Sequence, residues 1–183
     1  MPQRLQSVLS ESDFPLSELC ALVLDGEAWW VDGCVTSIDE ANGPLVRAAA
    51  LAQLIPAGLV AEQHSAAWIW GALVSPPARH EVCAPTSARK RPPFDSGLNV
   101  REVVILHSDI AVLAGIAATT PTRTAIDLAR FVEEWTDEES RIVTELMALG
   151  ECTVIDCARA MNRRRNLPNK KLALERLALC TSP

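Results

Sequence analysis

The 183-residue sequence contains no tyrosine and three phenylalanines, and aromatic residues make up 4% of the chain. Proteins that read single-stranded nucleic acids stack bases on aromatic side chains beside cations. Only Phe94 lies near a basic run, which argues against single-strand recognition. The eight glycines are scattered singly, so neither glycine-rich phosphate-binding motif is present.

Motifs for metal binding and nucleophilic catalysis are also missing. No two of the six cysteines form a C-x-x-C pair, and the histidines form no paired motif, whereas zinc ligands converge at fixed spacing. There is no G-x-S-x-G nucleophile motif. His64 and Ser65 are adjacent, and neighbours on a helix diverge by about 100°. We therefore predict no metal site and no enzymatic activity.

Long hydrophobic runs are absent, although 49% of the residues are hydrophobic. The longest apolar stretch, residues 48–61, is interrupted by Gln53 and Pro56 and is shorter than the ~20 residues of a membrane span. The N-terminus has one basic residue, Arg4, followed by polar residues, which argues against a secretory signal. The six cysteines form no close-spaced framework and are typical of reduced thiols. We therefore expect a cytoplasmic protein without a membrane partner.

The net charge of −6 is distributed unevenly. Residues 1–43 contain one basic and eight acidic residues, whereas the tail, residues 151–183, contains seven basic and three acidic residues. A polyanion would be repelled by the first segment and drawn weakly to the tail. A polar loop at residues 85–96 contains Arg89, Lys90 and Arg91, and we call it the basic loop. The candidate nucleic-acid-binding residues are the cations of the basic loop and of the tail: Arg89, Lys90, Arg91, Arg163, Arg164, Arg165, Lys170 and Lys171. The alternative interpretation is a solvated helix face.

The first 40 residues are typical of two short helices followed by a hairpin. Pro15 can begin a helix over 16–24, and Gly26 can end it. Asp32-Gly33 lies between two β-forming segments and predicts a type I′ turn. This is the plan of a winged helix, and an αα-hairpin with an extra ribbon is the alternative. We assign a winged-helix-like N-terminal domain, the head, to residues 1–41.

Two tryptophans lie on the predicted hairpin. Large aromatic side chains dominate the energetics of many interfaces, so Trp29 and Trp30 are candidate partner-binding residues. The alternative is that they cover the protein's own core.

Asn42-Gly43-Pro44 separates the head from a body at residues 44–183. The body contains an apolar helix, a helix near His64, and short strands, followed by helices that begin at Thr120, Thr136 or Asp137, Thr153 and Pro168. The predicted fold class is α+β: a small N-terminal winged-helix-like head, then a body with a small mixed β-sheet and a C-terminal run of about four helices.

Two blocks of the body resemble a known family. The segment from His64 to Gly71, HSAAWIWG, is similar to the S-H-x-T-A-A-W-L-x-G helix of actinobacterial AbiEi-type proteins. The segment from Gly115 to Arg130, GIAATTPTRTAIDLAR, resembles the family's G-[LI]-P-V-T-T-P-x-R-T-A-x-D-L-A-R more closely. These proteins are the antitoxin or transcriptional-regulator half of type IV toxin–antitoxin operons.

The resemblance implies a cytoplasmic bacterial protein without a cofactor. It also implies repression of its own operon through the winged helix and neutralisation of a nucleotidyltransferase-like toxin through the C-terminal domain, 44–183. Family heads are rich in arginine, as in G-E-L-V-R-x-x-R-G-V-Y, whereas the segment from Gly26 reads GEAWWVDGCV. Arg101-Glu102 stands where the family's body strand carries His-Arg. We therefore predict a non-enzymatic antitoxin or regulator whose acidic head has weakened or lost DNA binding.

The predicted partners are a cognate nucleotidyltransferase-like toxin, duplex DNA through the basic loop and tail, and a second copy of the chain. The alternative function is a diverged protein-interaction or homodimerisation module without a nucleic-acid role. The family-like block itself is expected to be scaffold. Its Arg123 and Asp127 lie one helical turn apart, and we expect an ion pair on the polar face that contributes ~0.3 kcal/mol.

Overall fold

The computed structural model describes residues 7–86, 97–164 and 166–180. These form an α+β fold, as predicted. The elements in chain order are α1 (Leu16–Leu24), β1 (Ala28–Val31), β2 (Cys34–Ser37), α2 (Pro44–Ala52), β3 (Val60–Ala61), α3 (Gln63–Trp70), β4 (His80–Pro85), β5 (Leu98–Val103), a 3-10 turn (His107–Asp109), β6 (Ile110–Leu113), β7 (Ile116–Thr119), α4 (Pro121–Phe131), α5 (Asp137–Leu149), α6 (Val154–Asn162) and α7 (Lys170–Leu179). No helix within the described ranges is long and apolar enough to cross a membrane.

The chain divides into two compact units. The first contains the chain up to Ala57 together with Val112–Ile116, and the second contains Gly58–Ala111 and the chain from Ala117 onward. The division into domains at residues 41–44 stays a prediction of the sequence.

The first unit contains α1, the hairpin and α2. Asp32 and Gly33 have φ values of +48° and +75°, and Val31 pairs antiparallel with Cys34 across the turn. The predicted type I′ hairpin is therefore confirmed, since both central residues of that turn need positive φ. A small buried cluster of Leu19, Ala28 and Val35 holds α1 against the hairpin.

From Ser7 onward, α1 is the one helix before the hairpin, whereas two helices were expected there. The preceding segment instead forms turns and a β-bridge between Leu9 and Val35. The Asp13 carboxylate accepts hydrogen bonds from the backbone N–H and the hydroxyl of Ser10. Such local bonds compete with helix formation. The winged-helix assignment of the head stays a prediction.

A mixed five-stranded sheet has the strand order β5-β4-β3-β7-β6. Strand β3 pairs antiparallel with β4 and parallel with β7, and β4 pairs parallel with β5. The sequence does not predict β6, because the turn after it has Ala114 at φ +47° before Gly115. Alanine is not a residue that signals a turn with positive φ.

The C-terminal helices α4–α7 pack with α3 around one apolar core. Leu128, Ile142, Leu146 and Leu177 are all fully buried in it. The predicted threonine caps are present on α4, α5 and α6, where each threonine side chain accepts a hydrogen bond from a backbone N–H of the first turn. The last helix begins at Lys170 rather than at Pro168. This core fixes α4, which carries the site described next.

Candidate functional site

Helix α4 is buried on its charged side as well as on its apolar side. Arg123, Asp127 and Arg130 follow one another at i, i+4 and i+7, so they lie on one face of the helix. Asp127 is completely buried and Arg123 is 5% exposed. The expectation of a surface ion pair at Arg123 and Asp127 is therefore wrong, because β5 and the loop before β6 supply charged side chains that cover this face.

The carboxylate of Asp127 is shared by three arginines. Arg123 Nε donates to Oδ2 at 2.8 Å, and Arg130 Nη1 donates to Oδ1 at 3.0 Å. Arg101, on β5, places Nη2 3.6 Å from Oδ2. One buried negative charge thus faces three positive charges.

A second buried carboxylate, Glu62, follows β3 and pairs with Arg101. Arg101 Nε donates to Oε1 at 2.9 Å and Nη2 donates to Oε2 at 2.7 Å, which is the bidentate geometry of a strong ion pair. The Arg101 guanidinium also lies 4.0 Å from the centre of the Phe131 ring. Because β4 lies between β3 and β5, this ion pair spans β4.

The third carboxylate is Asp109, in the 3-10 turn. Its Oδ2 accepts hydrogen bonds from Arg123 Nη1 at 2.9 Å, from Arg164 Nη2, and from the backbone N–H of Leu106 at 2.9 Å. We call these seven residues the arginine–carboxylate cluster: Arg101, Arg123, Arg130, Arg164, Glu62, Asp109 and Asp127. The cluster has four cations and three anions, so it carries one excess positive charge.

The cations of the cluster differ in how well they are compensated. Burial lowers the pKa of Arg123, but its ion pairs with Asp127 and Asp109 outweigh burial and raise it. Burial also lowers the pKa of Arg130, and the attraction of Asp127 does not restore it because the positive charges of Arg123 and Arg101 lower it further. The positive charge of Arg130 is therefore less well compensated than that of Arg123.

A cleft of about 290 Å³ opens beside the cluster, and we call it the arginine cleft. Arg123, Arg130 and Arg164 line it together with Asp109. The remaining lining residues supply hydroxyl groups or apolar surface: Ser108, Thr120, Thr122, Ile126, Ala160, Met161 and Leu167. The cleft therefore combines an excess of guanidinium groups with apolar lining residues.

The predicted nucleic-acid-binding residues do not share one environment. Arg89, Lys90, Arg91 and Arg165 lie outside the described residues. Arg163 is exposed at the end of α6, whereas Arg164 belongs to the arginine–carboxylate cluster. Lys170 donates to the Asn162 side chain, and Lys171 is 94% exposed with its Nζ 3.9 Å from Glu175 Oε1. Their role in nucleic-acid binding stays a prediction.

The predicted partner-binding residues are adjacent on β1. Trp29 is half-buried and Trp30 is 42% exposed. The structure thus places one tryptophan ring at the surface of the first unit, and its use as an interface anchor stays a prediction.

A charged triad connects α3, β4 and α5. His64 Nδ1 donates to Glu81 Oε2 at 2.9 Å, and Nε2 donates to Glu139 Oε1 at 2.9 Å. Burial lowers the pKa of His64, but the hydrogen bonds and negative charges of the two carboxylates outweigh it and raise the pKa to about 10. The imidazole is therefore a structural cation at neutral pH. Sequence reasoning missed it because its partners lie 17 and 75 residues away.

The neighbouring Ser65 does not use His64. Its hydroxyl is fully buried, bonds His80 Nδ1 at 3.0 Å and accepts the backbone N–H of Glu81. Within the described ranges, no group of three histidine, cysteine or acidic side chains is arranged to hold a metal ion.

Comparisons with known proteins add a family and a fold. The family model described as the AbiEi antitoxin C-terminal domain matches residues 52–147, which include every member of the arginine–carboxylate cluster except Arg164. The chain is also similar to the crystal structure of the RV2827C protein from Mycobacterium tuberculosis. That similarity has a TM-score of 0.50 and 20% identity over 94% of this chain and 70% of that one, and it concerns the fold alone. No curated protein matches the chain.

Proposed function

Because this chain belongs to the AbiEi antitoxin family, we propose that it is the antitoxin of a toxin–antitoxin pair and neutralises a nucleotidyltransferase-like toxin. The observation that carries this proposal is the position of the family match, residues 52–147, which lies mostly within the second unit. There the match coincides with α3, α4 and the ion pairs that join them to the sheet. The second unit is therefore our candidate for the toxin-binding part.

The site supports a protein that acts by binding rather than by catalysis. In the arginine–carboxylate cluster, each carboxylate already accepts hydrogen bonds from at least one arginine. A general base needs a carboxylate or imidazole that can take up a proton near neutral pH. The His64 imidazole does not meet this need because its pKa is about 10.

The charge of the head supports weakened or lost DNA binding. The described head contains no lysine or arginine, and seven of its acidic side chains are exposed: Glu11, Asp13, Glu18, Asp25, Glu27, Asp39 and Glu40. Affinity for duplex DNA comes largely from cations that neutralise phosphates. We therefore propose that any duplex contact uses the candidate cations of the basic loop and of the tail, which are Arg89, Lys90, Arg91, Arg163, Arg164, Arg165, Lys170 and Lys171.

Neutralisation is tested by co-expression with a nucleotidyltransferase-like toxin, for which the proposal predicts a reading frame beside this gene. We expect the full chain to restore growth of the toxin-expressing cells and to co-purify with the toxin. The Trp30→Ser variant is expected to restore growth equally, because the proposed toxin surface is in the second unit. Unchanged toxicity despite accumulation of folded protein would contradict the proposal. Loss of rescue in Trp30→Ser would favour the alternative of an interaction module that docks through the hairpin.

Duplex binding is tested by fluorescence anisotropy with the DNA upstream of the gene, over 50 to 200 mM salt. We expect weak, salt-sensitive binding, since each phosphate contact contributes about 0.9 to the slope of log affinity against log salt. The double variant Lys170→Gln, Lys171→Gln is expected to reduce that slope by about 1.8.

The matched control for duplex binding is Arg79→Gln, Arg159→Gln, which removes two exposed cations outside the predicted contact residues. It is expected to leave the slope within experimental error of the wild type. Tight binding that is unchanged by the lysine substitutions and abolished by Trp29→Ala would show that the head binds the duplex. It would contradict the proposal that the head has weakened or lost DNA binding.

A further inference from the structure

The arginine cleft has no part in the function proposed above, and its chemistry points to a ligand. We propose that the cleft binds the phosphoryl group of a small molecule, either free phosphate or a phosphate monoester of about the size of a nucleoside monophosphate. Its volume of about 290 Å³ lies at the lower end of small-ligand sites. That size suits a compact ester better than a polymer.

The first argument is the supply of donors. Arg130 uses Nε for the Pro168 carbonyl and Nη1 for Asp127. Arg123 uses Nε and Nη1 for Asp127 and Asp109, and Arg164 uses Nη2 for Asp109. Within the described ranges, Nη2 of Arg123 and of Arg130, and Nε and Nη1 of Arg164, make no hydrogen bond to a protein acceptor. Guanidinium groups that have unbonded N–H donors are preferred partners of phosphate oxygens.

The second argument is the balance of charge. Three arginines line the cleft with a single carboxylate, Asp109, and the buried Asp127 behind them is shared with Arg101. Burial and the neighbouring cations lower the pKa of Arg130. A bound dianion would compensate this excess positive charge, whereas a neutral ligand would not.

The third argument is the arrangement of the other lining groups. The N-terminal end of α4, an 11-residue helix, contributes its N-cap Thr120 and, from the first turn, Thr122 to the cleft. Hydroxyl groups and the positive end of the helix dipole both favour phosphate oxygens. The lining also includes Ile126, Met161 and Leu167, whose apolar side chains suit the organic part of an ester.

The proposal is tested by isothermal titration calorimetry of the full chain with inorganic phosphate, AMP and adenosine. We expect binding of AMP, weaker binding of phosphate and no binding of adenosine. If phosphate binds as tightly as AMP, the site recognises the free anion; if AMP binds tighter, it recognises the ester. Absence of binding by both phosphate and AMP at millimolar concentration, or equal binding of AMP and adenosine, would overturn the proposal.

Arg164→Gln identifies the cleft as the site. Because hydrogen bonds to a charged group are among the stronger ones, we expect about tenfold or greater weakening of AMP binding. Arg163→Gln is the matched control, since it removes the exposed neighbouring cation outside the cleft, and it should bind as the wild type does. Equal affinities of the two variants would place the ligand elsewhere and overturn the assignment.

A second pair of variants leaves the buried ion pairs intact. Ser108 is exposed at the edge of the cleft, so Ser108→Glu puts a negative charge there and is expected to reduce AMP affinity at least tenfold. Ser75→Glu adds the same charge on an exposed loop outside the cleft and should have no effect. Unaltered affinity in Ser108→Glu would contradict the proposal even if Arg164→Gln failed to fold.

Discussion

The Asp127→Asn variant is expected to lose about 3–5 kcal/mol of its free energy of unfolding, because removal of one partner from a buried ion pair leaves uncompensated charge. Arg123 and Arg130 bond different oxygens of Asp127, so the single amide oxygen of asparagine could accept from only one of them. Both arginines would also lose the negative charge that they share. Arg101 would retain Glu62. The free energy of unfolding in urea, compared with that of the wild type at pH 7, measures the loss.

The matched control for this substitution is Asp137→Asn, which removes an exposed carboxylate in the first turn of α5. It is expected to cost less than about 1 kcal/mol, the usual size of a helix-dipole effect. The double variant Asp127→Asn, Arg130→Gln should recover part of the loss, because one of the stranded cations is then removed. Equal stabilities of Asp127→Asn and Asp137→Asn would show that the cluster does not stabilise the fold.

The stability of the wild type is expected to fall by about 2–3 kcal/mol between pH 6.5 and pH 8.5. His64 has a pKa of about 10 in the folded chain, against about 6.5 when unfolded. Its contribution is therefore complete below pH 6.5, decreases by about 1.36 kcal/mol per pH unit above it, and is lost by about pH 10. Urea unfolding at intervals of half a pH unit gives the profile.

The His64→Gln variant is expected to have a flatter stability profile over the same range, because glutamine does not titrate. The measured range ends at pH 8.5 because cysteine thiols of the unfolded chain ionise near that value. In the folded chain, burial raises the pKa of Cys34 to about 11 and that of Cys157 to about 12. Above pH 8.5 these thiols would therefore add their own pH dependence to the stability. His107→Gln removes an exposed histidine and is expected to keep the wild-type profile. Parallel profiles for the wild type and His64→Gln would contradict the role assigned to the charged triad.

Local sequence signals predicted most of the elements. The Asp32-Gly33 turn and the threonine caps of α4, α5 and α6 each depend on residues no more than four positions apart in the sequence. Whether they form therefore depends little on the rest of the chain. Strand β6 was missed because Ala114 carries no such signal. The prediction of a helix before α1 was wrong because Ser10 and Asp13 form local hydrogen bonds that favour a turn.

The arginine–carboxylate cluster could not be predicted from the spacing of its residues in the sequence. The helical spacing of Arg123, Asp127 and Arg130 places them on one face, and spacing alone does not say whether that face is covered. The cover comes from Arg101 and Glu62, which are 39 residues apart. The sequence of α4 carries no signal of this cover, because charges on one face and apolar residues on the other are also the pattern of a surface helix.

The ion pair between Arg101 and Glu62 also decides how β5 joins the sheet. Arg101 lies opposite Cys83 of β4, and its side chain reaches past that strand to Glu62. Sliding β5 by a single position would turn Arg101 to the opposite face and leave the buried Glu62 without this ion-pair partner. The backbone hydrogen bonds of β5 could form again in the shifted register, but the ion pair between Arg101 and Glu62 would be lost. The register of the edge strand β5 is therefore determined by the ion pair between Arg101 and Glu62 rather than by the backbone hydrogen bonds.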